Sequence, residues 1–215
     1  WRRIRVPAST VLSTFHDQIL VPVLGWARAY HGYVFEDPKD GSVLGPCKYS
    51  GYVDMMHAPL HYFQVMDDRK IPIAALLRNV GDVCFYTYDL GDRWEHRLQV
   101  EEVVEQVNEG NVLLIDGEGA PPPEDSNGLR DKGNAAYLEF LRQYRRNPSK
   151  CKQAVHAASQ SANYTASWLT GRPVAFHPLK YNLEHHRTLL AAMLAGPSLR
   201  NSCVFETEEV NKQCR

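Results

Sequence analysis

No run in this sequence is apolar over anything near the ~18–20 residues that cross a bilayer as a helix, so a membrane-spanning protein is not expected. Neither sign of charge prevails. The 24 Lys plus Arg against 25 Asp plus Glu leave a formal net charge of −1, which excludes a globally basic nucleic-acid binder and an acidic disordered tail. Five cysteines (Cys47, Cys84, Cys151, Cys203 and Cys214) include no C-x-x-C pair. An odd count at irregular spacing argues against a disulfide framework and against a self-contained zinc module. Reduced thiols follow, and with them an intracellular protein, cytoplasmic or nuclear. There is no Gly-x-Ser-x-Gly elbow, no cysteine with an arranged histidine, no internal repeat, and no glycine-rich loop between a strand and a helix. His57-x-x-x-His61 has helical ligand spacing, but Pro59 stands between the two and works against a zinc-binding helix.

What is present is ample material for a core: 44% of 215 residues are apolar and 10% aromatic, more than one small domain needs and barely enough for two. The chain opens at Trp1 rather than Met and so reads as a fragment or a processed product. Residues 1–6 alternate apolar and basic side chains and predict a strand, after which Ser9 or Thr10 caps a helix with Leu12, Phe15, Ile19 and Leu20 on one face. A second strand is expected around 30–35. Residues 36–59, rich in Gly and Pro, read as a long surface loop or insertion. Further strands are expected at 60–66, 83–88 and 112–115, with a short helix at 73–78. Trp94, His96, Leu98 and Val100 alternate with Glu95, Arg97, Gln99 and Glu101, so 83–88 and 94–101 form a hairpin.

The second half is helical in character. Tyr137, Leu138, Leu141 and Tyr144 are placed on one face of a helix over 134–146, and residues 150–168 are less decided. Asn182 caps a last helix that Gly196-Pro197 stops. The expected fold is α+β, a mixed or antiparallel sheet with helices in one roll-like domain over 1–195, followed by an extension or linker over 196–215. Cys214 could begin a motif, such as a zinc finger, that the fragment truncates. Charge is uneven along the chain: residues 89–125 carry 11 acids and 2 bases, and 130–187 carry 10 bases and 3 acids.

Two segments stand out. Residues 86–96 read Tyr-Thr-Tyr-Asp-Leu-Gly-Asp-Arg-Trp-Glu-His, and 117–125 read Gly-Glu-Gly-Ala-Pro-Pro-Pro-Glu-Asp. In structural terms the first is a tight turn, with Gly91 supplying φ > 0 and Asp89 or Asp92 bonding to backbone N–H groups, followed by a packed Trp94 and a hydrogen-bonded His96. The second is a proline-stiffened strip whose glycines permit close approach, laid against the hairpin. In chemical terms, Asp89, Asp92, Glu95 and His96 with Glu118, Glu124 and Asp125 could line one cleft. They could divide acid and base roles in a hydrolysis, or hold a divalent metal, with Asp92, His96 and Glu124 as ligands. A phosphate cradle is disfavoured, because Glu118, Glu124 and Asp125 would repel an anion and the segment holds no lysine.

The paired motifs resemble those of the plasmid pRiA4b ORF-3-like family, a Y-x-Y-D-x-G-D-x-W-x-H hairpin followed by a G-x-G-A-x-P-P-E-D loop. Flanking segments resemble it too: the opening WRRIRVPASTVLSTFHDQI, Gly25-Trp26, the run 31–35, the run 137–141, and Phe176-His177-Pro178 with Asn182. The resemblance covers roughly residues 1–195. This sequence departs from the family in carrying Leu113-Leu114-Ile115-Asp116 where members often have a cysteine, which weakens a metal or redox role for the loop. The 36–59 loop is also longer than usual. The resemblance implies a compact α+β domain of roll-like architecture from a plasmid and transposon context, and no reaction.

The reading preferred from the sequence is therefore a non-enzymatic interaction module. It presents the hairpin (Tyr86, Tyr88, Trp94) and the stiff loop (Pro121, Pro122, Pro123) to a protein or peptide partner, with no cofactor. The hydrolase using the Asp/His/Glu cluster is the alternative. A nucleic-acid accessory role through Arg142, Arg145, Arg146, Lys150 and Lys152 is a lesser one, since cations in the last helical turn complement the macrodipole in any case. Cys84 is expected in the core, and His185-His186 as surface or hydrogen-bonded core residues. Asn163-Tyr164-Thr165 fits a glycosylation acceptor and is discounted as a chance triplet.

Overall fold

The computed structural model describes residues 1–46, 65–105, 111–165 and 171–196. In chain order these form β1 (Arg2–Arg5), α1 (Leu12–Thr14), a π-helical segment (Phe15–Leu20), α2 (Val21–Leu24), β2 (Tyr33–Glu36), β3 (Val43–Gly45) and β4 (Val65–Asp67). After two short 3₁₀ turns come β5 (Val83–Tyr88), β6 (Trp94–Gln99) and β7 (Leu113–Gly117). The helices α3 (Gly133–Arg146), α4 (Lys152–Ala158), α5 (Ala162–Thr165) and α6 (Leu183–Ala195) follow. The fold is α+β, with one five-stranded mixed sheet and one two-stranded sheet. Among the described residues no helix is long and apolar enough to cross a membrane. Cys47, Cys203, Cys214, the His57/His61 pair, most of the 60–66 strand and all but the first residue of the 196–215 extension lie outside the described residues.

The chain divides into two compact units. One combines Trp1–Arg5, Ile19–Arg28 and Leu113–Gly196; the other contains Val6–Gln18 and Ala29–Val112.

The second of these holds the five-stranded sheet, in the order β4-β3-β2-β5-β6. All its pairs are antiparallel except β3 with β4. Alternation sets the faces: Cys84, Tyr86 and Tyr88 point inward on β5 and meet Leu98, His96 and Trp94 on β6, while Glu95 and Arg97 face solvent. Phe15, Tyr33, Phe35 and Tyr86 complete the core, with the His16 ring stacked on Tyr33 at 3.4 Å. Burial pushes the Cys84 thiol up to about 12, as suits an inert core cysteine.

Three expectations change in this unit. The 36–59 stretch is not wholly loop, because Val43–Gly45 returns as β3 beside β2. The first helix starts without Ser9 or Thr10 as its cap. Val11 is the extended N-cap residue, bridging to Pro72, and Leu12 N donates to Ile71 O at 2.9 Å, so a strand-like pairing satisfies the donor that a cap would have served. In the hairpin turn, Asp89 (φ 55) and Arg93 (φ 57) take the left-handed conformation, not Gly91. Asp tolerates that region because its side chain bonds locally, and Asp89 Oδ1 accepts from Gly91 N (3.0 Å) and Asp92 N (3.2 Å).

In the other unit β1 pairs antiparallel with β7 through an irregularity between Arg3 and Ile4, where Ile115 is passed over in the register. Buried Leu189, Leu190 and Met193 give α6 its inner face, and Asn182 Oδ1 caps it by accepting from His185 N at 3.1 Å. On α3 the buried side chains are Tyr137 and Phe140, beside buried Gly133, with Leu138 52% exposed, so the expected face is rotated. What turns it is an aromatic cluster: Phe140 lies 6.2 Å from Phe176, which meets Tyr164 edge-on at 4.9 Å.

Trp94 is 1% exposed. Trp94→Ala is expected to destabilise the protein by ~3–5 kcal/mol in denaturant unfolding. A loss below ~1 kcal/mol would mean the site collapses freely and the hairpin does not anchor its sheet.

Candidate functional site

The sequence-derived candidates fall in both units. Asp89, Asp92, His96, Tyr86, Tyr88 and Trp94 belong to the sheet unit; Glu118, Glu124, Asp125 and the prolines belong to the other. Tyr86, Tyr88 and Trp94 are at most 1% exposed, so these three rings are core packing and present no surface to a partner. Asp89 is buried, holds its own turn together, and lies 3.5 Å from His31 Nε2. Burial raises its pKa, against the pull of the turn N–H groups and His31. His96 is half-buried, with Nδ1 3.3 Å from the Tyr86 carbonyl.

The acidic loop does not gather its carboxylates. Glu118 is exposed and accepts from Trp1 Nε1 at 3.1 Å, and Asp125 is exposed. Glu124 is wholly buried and accepts from Ala27 N at 2.7 Å. What the loop does gather is donors. A proline-rich extended strand forms no internal hydrogen bonds, so each buried carbonyl needs an outside partner. Each carbonyl from Glu118 to Pro122 has a side chain. Arg2 Nη1 donates to Glu118 O (2.7 Å) and Nη2 to Gly119 O (2.8 Å). Tyr137 donates to Ala120 O (3.0 Å), Tyr164 to Pro121 O (2.7 Å) and Asn163 Nδ2 to Pro122 O (2.9 Å).

Asn163 also donates to Gly25 O (3.0 Å) and accepts from Glu124 N (3.2 Å) and Ser161 Oγ (2.8 Å). That commitment gives Asn163 an internal role, consistent with discounting it as a glycan acceptor. Burial raises the pKa of Tyr137 and Tyr164 and lowers that of Arg2, whose guanidinium lies 3.5 Å above the Tyr181 ring. Gly117 leaves room for this arrangement, since a Cβ there would lie 2.7 Å from Tyr181 and 2.8 Å from Arg2.

Beside the loop opens a cleft of about 250 Å³. Gly25 and Pro121 form one wall, where Gly25 has φ +81 and a Cβ would come within 2.4 Å of the proline ring. Trp26, Ala120, Pro121, Tyr164, His186 and Leu189 are its buried members. Arg28, His177, Lys180, Asn182 and His185 supply its more accessible polar groups. No Asp or Glu lines it among the described residues. His186 places Nδ1 2.7 Å from the Pro22 carbonyl and stacks on Tyr181 at 4.4 Å. Burial drives its pKa down to about 3, the Pro22 bond opposing and the Arg2 charge assisting. The pKa of neighbouring His185 is lowered by burial as well.

The sequence profile of the plasmid pRiA4b ORF-3-like proteins matches residues 1–184. The chain belongs to that family. It is 29% identical over 128 residues to the uncharacterized protein y4hQ of Sinorhizobium fredii (strain NBRC 101917 / NGR234), a match covering 59% of each chain. In fold it is similar to the protein of unknown function MM3350 from Methanosarcina mazei Go1, with a TM-score of 0.55, 24% sequence identity, and 86% of this chain and 87% of that one covered. Neither description names an activity.

In this pRiA4b ORF-3-like chain, the basic run of the lesser reading lies at the end of α3 (Arg142, Arg145, Arg146), in the 3₁₀ turn after it (Lys150) and at the start of α4 (Lys152). Sequence reasoning did not find Arg2, Tyr137, Asn163 or Tyr164 as fasteners of the G-x-G-A loop. Their one common signal is polar side chains set among apolar neighbours, which is too general to single them out.

His186 generates a pH prediction. Its folded pKa lies below the unfolded value of about 6.5, so the unfolded chain takes up a proton that the native state resists. Its contribution is intact above pH ~6.5 and is lost as pH falls from there toward 3, by on the order of 4 kcal/mol. His186→Gln is expected to flatten that part of the stability–pH curve in urea unfolding. Parallel curves for both proteins would show that His186 titrates normally.

Proposed function

We propose that this chain is a protein-interaction module whose binding site is the cleft beside the proline-rich loop, and that it takes a peptide segment bearing negative charge. The observation that carries the reading is the composition of the cleft: buried apolar and aromatic members, a prolyl wall, cations and imidazoles, and no acid among the described lining residues. Its volume is just below the ~300–1,000 Å³ of drug-sized sites, enough for one or two anchoring side chains. The wall is pre-ordered by side-chain hydrogen bonds to successive carbonyls, so little loop entropy is lost when a partner docks. Electropositive lining supplies both attraction and partner choice.

The hydrolase reading has less support. Asp89 and Glu124, two of its central carboxylates, accept backbone N–H groups and brace their own loops.

Panning a random peptide library against the protein tests the proposal. Enriched peptides are expected to pair an acidic group with an apolar residue, and the double reversal Arg28→Glu, Lys180→Glu should weaken them by about tenfold or more. Enrichment of basic sequences, or affinities indifferent to the reversal, would overturn it.

A further inference from the structure

Resting on that reading of the cleft, we infer that it recognises the C-terminal residue of a peptide chain, with His186 Nε2 accepting the amide N–H of that residue and Lys180 facing its free carboxylate. The inference begins with His186, which is 5% exposed and lines the cleft. The Pro22 carbonyl can only accept, so at 2.7 Å the proton of the neutral ring sits on Nδ1 and Nε2 is a bare acceptor. Tyr181, stacked 13° from parallel, and His185, edge-on at 5.3 Å, fix the plane of the ring. Among the described residues no donor reaches Nε2. In a residue that lines the cleft, this acceptor is open to the solvent side, where a ligand N–H can take the place of water.

Burial keeps this imidazole neutral at physiological pH, so it offers a lone pair and not a charge. A simple anion would be repelled by that lone pair; an N–H or O–H is needed there. The surrounding field asks for the opposite sign elsewhere in the ligand. Arg28, His177, Lys180 and His185 line the same cleft without a carboxylate among them. Trp26, Val174 and Leu189 add apolar surface for a side chain. A donor, a carboxylate and an apolar side chain on adjoining atoms make up one terminal residue. A free amino acid has them too, but its ammonium would sit in a cationic field, whereas the nitrogen of a chain's last residue is a neutral amide.

Three small probes separate the parts: N-acetyl-Gly-Leu with a free carboxylate, its C-terminal carboxamide, and the acid with the leucine nitrogen methylated. Binding is read by tryptophan fluorescence and by the ¹⁵N shift of the His186 ring. The acid should bind at least about tenfold more tightly than either analogue and move the Nε2 resonance. Lys180→Gln should abolish the preference for acid over carboxamide while leaving the ring tautomer unchanged. Equal binding of acid and carboxamide, or of the methylated acid, would overturn the inference and leave the interaction module standing. It is overturned in the same way if none of the probes binds while library peptides with internal acidic residues do. If neither probes nor library peptides bind, both readings fall.

Discussion

A chain that runs extended through proline gives up its own means of satisfying backbone carbonyls, because the ring removes donors and the polyproline conformation makes no internal bonds. Burying such a segment is affordable only where side chains supply the donors. Here the guanidinium of Arg2 starts the row. Its planar fork reaches Glu118 O and Gly119 O with separate nitrogens, while Nε donates to Val23 O at 3.2 Å. A lysine could not make that set, since it offers a point charge and not a fork. The cost of desolvating the cation is offset by these carbonyls and by the Tyr181 face beneath it. Tyr137, Tyr164 and Asn163 continue the row to Pro122.

Much of the motif's composition follows from this constraint. Gly117 is small because Arg2 and Tyr181 occupy the space where a Cβ would go. Glu124 is acidic because its carboxylate closes the far end of the loop on Ala27 N. The acids of the motif thus serve different ends: Glu124 braces the loop, and Glu118 accepts from the Trp1 indole. The cleft draws its charge from other segments, around Arg28 and between His177 and His186.

What could be read in advance and what could not divides along physical lines. The β5–β6 hairpin, the Asn182 cap and the α+β class were legible, since strand alternation and capping are local signals. The role of Arg2 was not, because a cation in an alternating apolar/basic strand reads as a solvent-facing residue until Glu118, Gly119 and Tyr181 are known to surround it. Asn163 read only as part of a chance acceptor triplet, because its partners Gly25, Pro122 and Glu124 lie far away in sequence. Gly91 seemed the natural left-handed residue, yet Asp89 could take that conformation with its own side chain bonding the turn. Of His185-His186, only tertiary packing distinguishes the half-buried ring from the one lodged against Pro22 and Tyr181.

Arg2 acts on the imidazole of His186 as well as on the loop. Burial is the main reason His186 stays unprotonated, and the nearby Arg2 charge pushes in the same direction. The cation that fastens the loop wall thus also helps keep the imidazole an acceptor. Were Arg2 replaced by a neutral side chain, the carbonyls of Glu118 and Gly119 would lose their donors and Pro121 its firm seat against Gly25. At the same time His186 would lose part of the electrostatic barrier to protonation. A protonated His186 would have no lone pair at Nε2 and could not accept the N–H that the proposed ligand brings. The loop wall and the imidazole therefore share one influence: the buried positive charge that lets a proline strip lie inside the fold is also part of what keeps a neighbouring acceptor free of its proton.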